Sequence, residues 1–458
     1  MLTATPSSIA ARLESLGVGR FHYRFISLVS LGEWFDMYDL FMVAYVGAAL
    51  QNSGFLSLQQ FSQLIAAGFL GMFVGTVLFG MTSDQIGRRT SFVVMLLIYS
   101  VFTLIGSLAQ SAVWLIACRF LAGIGIGAEI VVIDAYVSEM VPSYARGRFI
   151  AITQVVGFTS VPIVAILSRI LVPTHFLING WRWVMVFGAG GALLAWYLRL
   201  GLPESPRWLE SVNRTREAEA VLDMIEGQSR GPGPSQITNR QKPVSRRLTA
   251  ASISQHWSSS RFRELWSPTY RRRTLMLIVF QTLQTLGFYG FANWAPTFLL
   301  KRGVGLLHSL NYSLLIALIA PAGPLIASFT ADRLERKWTI FALALSIAAF
   351  GLGFAIWQLP ALIVISGALV TLCSNWFSAV LHSYQSELFP TRIRATGVGF
   401  TYSWSRLSAA LSSLLIAAVL THGVTPVFTM LATAMAGVAI AIAFGPKTNR
   451  KALEDLSA

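Results

Sequence analysis

The 458 residues are 54% hydrophobic and only 12% charged, with a mean hydropathy of +0.61. That balance leaves more apolar surface than a soluble domain can bury, which excludes an ordinary water-soluble enzyme and points to a bilayer. The formal charge of +15 brings nucleic acid to mind, but the basic residues gather in short polar segments between apolar runs, so no nucleic-acid partner is assigned.

A spanning helix needs about 20 mostly apolar residues, and the sequence predicts twelve. Six lie at 25–50, 62–82, 91–109, 112–136, 149–172 and 182–201; six more lie at 274–299, 310–330, 338–356, 360–386, 396–420 and 424–444. The first begins after Arg24 and lacks a small-residue cleavage site, which makes it a retained helix rather than a signal peptide. Most of the 35 Lys and Arg fall on one side of the membrane if both termini are cytoplasmic, the orientation expected from the positive-inside bias. The expected organisation is an all-α, multi-pass protein of the cell (inner) membrane. It has a six-helix bundle at 1–201, a cytoplasmic linker at 202–273 and a second six-helix bundle at 274–458. Within the Gly-, Pro-, Ser- and Arg-rich linker, the first part from Arg214 to Glu226, which contains REAEAVLDMIE, has helical composition. A plain tether with a surface helix and a regulatory docking site both remain open there.

The first span contains EWFDMYD (33–39), in which Asp36 and Asp39 are three residues apart and share a helix face. Counted from Arg24, Asp39 lies roughly 22 Å along the helix, near the bilayer midplane. A carboxylate costs about 3 kcal/mol or more at that depth, which marks it as functional. Asp36 reads either as a binding or relay group or as a solvated side chain.

After the second span comes GMTSDQIGRR (80–89), where Asp84 can cap a neighbouring helix, Gly87 turns the chain, and Arg88 and Arg89 are donors. Asp332, Glu335, Arg336 and Lys337 stand 248 positions after Asp84, Gly87, Arg88 and Arg89. At the same offset Tyr136, Glu139, Pro142 and Arg146 are answered by Tyr384, Glu387, Pro390 and Arg394. One offset for both blocks implies duplication of the whole segment, hence two related halves. Glu139 with Arg146, and Glu387 with Arg394, read either as an ionic latch or as helix capping. Gly123, Gly125 and Gly127, which follow Arg119, let helices pack closely in lipid.

The Asp84 loop is the signature of the major facilitator superfamily, which the chain resembles from end to end. The resemblance implies twelve transmembrane helices in two pseudo-symmetric six-helix bundles, with Asp84, Arg88, Arg89, Glu139, Arg146, Asp332, Arg336, Glu387 and Arg394 gating alternating access. PESPRWLE (203–210) and GWRW (180–183) are similar to the sugar porter branch, as are the placement of Gln154 and the set Gln284, Gly287, Ala295 and Pro296. The branch departs where Leu283, Tyr289 and His382 stand in place of a glutamine, an asparagine and a stacking tryptophan. SELFPTRIRATG (386–397) resembles organic-ion and aromatic-acid transporters, and Asp36 with Asp39 resembles aromatic acid:proton symporters. Asp39 matches the proton-coupling acid of sugar porters, whose arginine partner falls at Arg119. A moving guanidinium would change the proton affinity of Asp39 and so couple protonation to shape; a static buried pair is the other reading.

Arg406 sits about ten residues into the eleventh span, and its counterpart in the first half is Phe158. A cation at that depth calls for an anion, either a substrate carboxylate or an internal partner such as Glu387. Gln154, Gln284, Tyr289, Asn293, Trp294, Asn375, Trp376 and His382 complete the expected binding set. Arg169 and Arg199, near span ends, are expected to snorkel. The six His are scattered without an HExxH pair, and Cys118 and Cys373 have no metal spacing, so no enzyme, metal or cofactor is expected. The reading is a monomeric secondary transporter that carries a small organic acid with protons; a sugar or other neutral metabolite is the alternative.

Overall fold

The computed structural model describes residues 9–228, 263–330, 333–389 and 393–447. Asp332, Pro390 and most of the linker's Gly- and Pro-rich stretch lie outside them, as do the side chains of Asp84, Arg146, Glu387 and Arg394. Apolar runs become helices because only internal hydrogen bonding satisfies the backbone in lipid. The first half contains α2 (Arg20–Asn52), α3 (Leu58–Ile86), α4 (Arg88–Ser107), α5 (Ala112–Met140), the pair α6 (Ser143–Phe158) and α7 (Ser160–Leu171), and α8 (Gly180–Arg199). Before them comes the short α1 (Ile9–Ser15), and after them α9 (Pro206–Ser211) and α10 (Thr215–Gly227).

The second half contains α11 (Pro268–Ala292) with α12 (Ala295–Lys301), α13 (Leu306–Ala317) with α14 (Ala322–Thr330), α15 (Arg336–Ile356), α16 (Pro360–Glu387), α17 (Arg394–Leu420) and α18 (Val424–Ala443). Among the described residues, nine spans satisfy length and hydropathy outright, and α2, α5 and α8 complete the twelve. The breaks have local causes. Pro296 lacks the N–H that would continue α11 into α12, and Pro321 and Pro324 divide α13 from α14.

In the first half, α3 meets α5 at backbone distance. A Cβ on Gly71 would stand 2.1 Å from the Phe120 carbonyl oxygen, and one on Gly127 would stand 2.1 Å from that of Met72. The Thr76 hydroxyl donates to the Gly127 carbonyl across the same seam (2.7 Å). Gly125 instead faces α4, so the glycine run serves two neighbours. Between the halves, α3 packs on α17, α7 on α13 and α2 on α12.

At the end where α2 begins, α1 is clamped to α10. Arg12 binds Glu226 and Asp223, both at 2.8 Å, and those hydrogen bonds raise its pKa above the ordinary guanidinium value. Arg207 to Glu14 (2.7 Å) ties α9 to the same cluster. The helix expected at 214–226 is thus present as α10 and docked.

Candidate proton and substrate site

Asp39 is wholly buried in α2, and Arg119 of α5 closes an ion pair on it with Nη1 and bonds its backbone carbonyl with Nη2 (3.4 Å). Thr103 of α4 donates to the other carboxylate oxygen (3.4 Å). The helix is held around this point by two phenols, Tyr38 donating to the Val184 carbonyl (2.9 Å) and Tyr99 to that of Phe35 (3.1 Å). The sequence expectation that Asp39 and Arg119 meet is met in geometry. Asp36, one turn back, is also buried.

Glu33 was not singled out by sequence. It is 2% exposed, and its Oε1 accepts from Gln154 Nε2 (2.8 Å). Glu33, Asp36 and Asp39 repeat every three residues, so the spacing rule that selected the aspartates also reaches it. Gln154, expected to face substrate, has its amide committed to this acid.

Arg406 of α17 is 2% exposed. Nη1 bonds the Tyr289 hydroxyl of α11 and Nη2 the Tyr402 hydroxyl, each at 2.9 Å. Nε is buried without a partner, and among the described residues no carboxylate pairs with the guanidinium. Beside it runs an amide chain: Gln284 donates to Gln281 (3.0 Å), Gln281 to Gln385 (2.8 Å), and Gln385 contacts His382 Nδ1 (3.3 Å). The His382 ring lies 5.8 Å from that of Tyr402, which closes the network on Arg406. Gln281 and Gln385 escaped the sequence analysis, although Gln281 precedes Gln284 by one helical turn.

A cavity between the halves is walled by Phe41 and Tyr45 of α2, Val161 of α7, Phe288 of α11, Ser313 of α13 and Asn375 of α16. Asn375 is held by its amide N–H to the Ala320 carbonyl (3.0 Å). Arg406 is not part of this lining; Tyr289, which it binds, follows Phe288 in the chain. Trp294 is fully buried in ring contacts with Phe61 and Phe298, a packing role rather than a cavity wall. Trp376 is half-buried with its indole N–H unbonded, and Gly323 packs against its backbone. A smaller gap is bordered by Arg119 and Asn293 together.

The expected gating residues divide. Arg88 pairs with Glu139 (3.2 Å), while the Arg146 side chain lies outside the described residues. Glu204 caps α4 by accepting from the backbone N–H of Arg88 (2.9 Å) and Arg89 (3.0 Å). Arg89 reaches the Leu200 carbonyl (2.5 Å), and its counterpart Lys337 reaches that of Gly445 (2.8 Å). Tyr136 donates to the Pro203 carbonyl and Tyr384 to that of Pro446. Arg336 is buried at the start of α15. At the opposite end, Gln51 binds Thr297 (3.0 Å) and Arg169 binds Asn311 across the halves.

The expectation that Arg199 snorkels is wrong. Its side chain is fully buried, bonds the Leu28 and Val29 carbonyls and lies 3.6 Å over the Phe92 ring. Gly32 makes the room, since a Cβ there would stand 1.3 Å from Nη2. Arg169 likewise turns to a protein partner rather than to the headgroups.

Two six-helix bundles packed about buried charges define a secondary transporter of the major facilitator class. The chain belongs to the family described as "Sugar (and other) transporter", which matches residues 26–458. It is 32% identical to YyaJ of Bacillus subtilis, named for metabolite transport, over 97% of both chains. It is 30% identical to the niacin transporter NiaP of Acinetobacter baylyi, over 98% of this chain and 99% of that one. The fold is similar to that of the xylose transporter XylE from E. coli, with a TM-score of 0.74 at 19% identity over 94% of this chain and 99% of that one. These neighbours are transporters, not enzymes.

Proposed function

We propose that the protein is a proton-coupled symporter of a small organic acid, with both termini cytoplasmic and the Gln51 end facing outward from the inner membrane. The observation that carries this reading is Arg406. A guanidinium buried at span depth, bonded only to phenols among the described residues and with Nε unanswered, favours a ligand that brings a carboxylate. Similarity to the niacin transporter, whose chain this one matches along nearly its whole length, supports an aromatic acid. Asp39 and Arg119 supply the proton-coupling pair. Arg406, Tyr289, His382 and the amide chain through Gln284 hold the acid, and the aromatic cavity beside them, with Asn375 in its wall and Trp376 nearby, receives its ring.

The two bundles, 1–201 and 274–458, rock about this site while the 202–273 linker joins them, and the Asp84 and Asp332 loops gate the cytoplasmic end. A proton entering with a monoanion moves no net charge, so the pH gradient rather than the membrane potential drives uptake. The second reading, a neutral metabolite, rests on the amide chain, which offers hydrogen bonds that a polyol could use. Uptake of labelled nicotinate, benzoate and xylose into proteoliposomes, with and without an inward proton gradient, decides between them. Gradient-dependent uptake of either acid is expected, and uptake of xylose alone would overturn the acid reading.

A further inference from the structure

Two polar residues, one from each half, line the same small gap, and each carries an unsatisfied buried polar atom. Among the described residues, Arg119 Nε is a buried donor without an acceptor, and Asn293 Oδ1 is a buried acceptor without a donor. Both residues line the gap, with Leu40 of α2 and Gly68, Phe69 and Met72 of α3. Gly68 keeps it open on the Arg119 side, since a Cβ there would stand 3.0 Å from Nε. Asn293 is 2% exposed and sits at the break between α11 and α12, where a helix end is freer to shift than a helix interior. Leaving a buried donor and a buried acceptor unsatisfied is costly, and pairing them across the gap would relieve both.

We infer that Arg119 is a two-position switch: it pairs with Asp39 when that acid is ionised, and turns to the Asn293 side-chain oxygen when Asp39 takes up a proton. The inference rests on the reading of Asp39 as the proton-coupling acid and supplies what that reading lacks, a route from protonation in the first half to a contact with the second. The proton goes to the Asp39 carboxylate and leaves from it; no other bond is made or broken. Once Asp39 is neutral its hold on the guanidinium weakens, and the neutral amide oxygen across the gap competes for it. Arg119 then bridges α5 to the α11–α12 break, which draws the halves together there.

Among the described residues, the following charged or titratable groups stand near Asp39. Asp36 and Tyr38 share its helix, and Tyr99 and Thr103 stand on α4 with the phenol committed to the Phe35 carbonyl. Glu33 is bonded to Gln154 of α6. The gap residues of α3 are apolar, and Arg119 is the cation supplied by α5. On the facing half, Asn293 is the polar side chain that lines the gap.

The test pairs transport with a conformational readout in the full-length protein reconstituted in liposomes. Cysteines replacing Gln51 and Thr297, which touch across the halves, give a disulfide whose rate of formation reports closure near the α12 end. In this background the rate should change with pH through Asp39: Asp39→Asn should fix it near its low-pH value, and Asn293→Leu should flatten its pH dependence. Asn293→Leu should also cut nicotinate accumulation under a proton gradient about tenfold while leaving nicotinate counterflow exchange within about twofold. Asn293→Gln, which keeps the acceptor, should restore part of the coupling, whereas a merely structural asparagine would lose exchange and accumulation together. A pH-dependent cross-linking rate that survives Asn293→Leu overturns the switch while leaving proton coupling at Asp39 intact. Proton-driven accumulation that survives Asp39→Asn overturns both.

Discussion

The two halves handle a buried cation in opposite ways. In the first, Arg119 meets Asp39 on a neighbouring helix and its charge is answered within the bundle. In the second, Arg406 is met by Tyr289 and Tyr402, which offer hydrogen bonds but no formal charge. An internally neutral pair can titrate without a ligand, whereas a cation held only by neutral groups gains most from a ligand that supplies the anion. On the proposed function, the duplicated frame is specialised, one half for the proton and the other for the solute. At the loops on the α1 side the halves agree where backbone carbonyls must be tied down, by Arg89 and Lys337 and by Tyr136 and Tyr384. They differ at the residue after the proline, where Glu204 caps α4 and Lys447 stands in the second half.

The sharpest way to break this division is Asp39→Asn. An imposed gradient of about one pH unit should concentrate the acid about tenfold in the native protein, since one unit is worth 1.36 kcal/mol per proton. The variant should show no accumulation while it keeps exchange, as measured by labelled uptake against counterflow. Removing Arg406 should do the reverse. Arg406→Gln should raise KM for nicotinate roughly 10- to 100-fold, the range for losing a charged hydrogen bond, and leave the proton-to-solute ratio unchanged. Loss of coupling in that variant would mean that the halves are not specialised. Arg406→Lys should recover part of the affinity, because it keeps charge but not the planar fork.

Smaller effects test the loops. Glu204→Ala removes an acceptor from two N-terminal amides of α4 and should lower stability by about 1–2 kcal/mol, read as earlier thermal unfolding in detergent. Lys337→Met should cost about 1 kcal/mol in the same assay through loss of its bond to the Gly445 carbonyl. Equal effects of Glu204→Ala and Glu204→Gln would show that shape rather than acceptor strength matters there. The least effect is expected from Asn311→Ala. It removes the acceptor of Arg169 at the Gln51 end and should change stability by less than about 1 kcal/mol while shifting the cross-linking rate of the residue 51 and 297 cysteine pair.

Much of the architecture was legible in sequence because lipid leaves few options: twelve apolar runs must become helices, and a shared offset of 248 positions must reflect two like halves. The meeting of Asp39 and Arg119 was legible through the resemblance to sugar porters, whose proton-coupling acid and arginine partner fall at these two positions. Arg199 misled because its position near a span end is common to snorkelling and buried arginines alike. Only the space cleared by Gly32 and the stack on Phe92 distinguish them. Gln281, Gln385 and Glu33 were missed because polar residues along a helix reveal their depth but not their azimuth relative to other helices.

Composition and periodicity thus decided which segments cross the membrane, how they repeat and which charges lie deep, because those follow from transfer free energies summed along one chain. Which deep groups touch was decided by packing. The glycine seam of α3 and α5 brings Arg119 to the gap beside Asn293, and the breaks at Pro296 and Pro321 set where helix ends fall. Contacts of a few ångströms between residues hundreds of positions apart depend on helix rotation and crossing, quantities that no one-dimensional pattern contains.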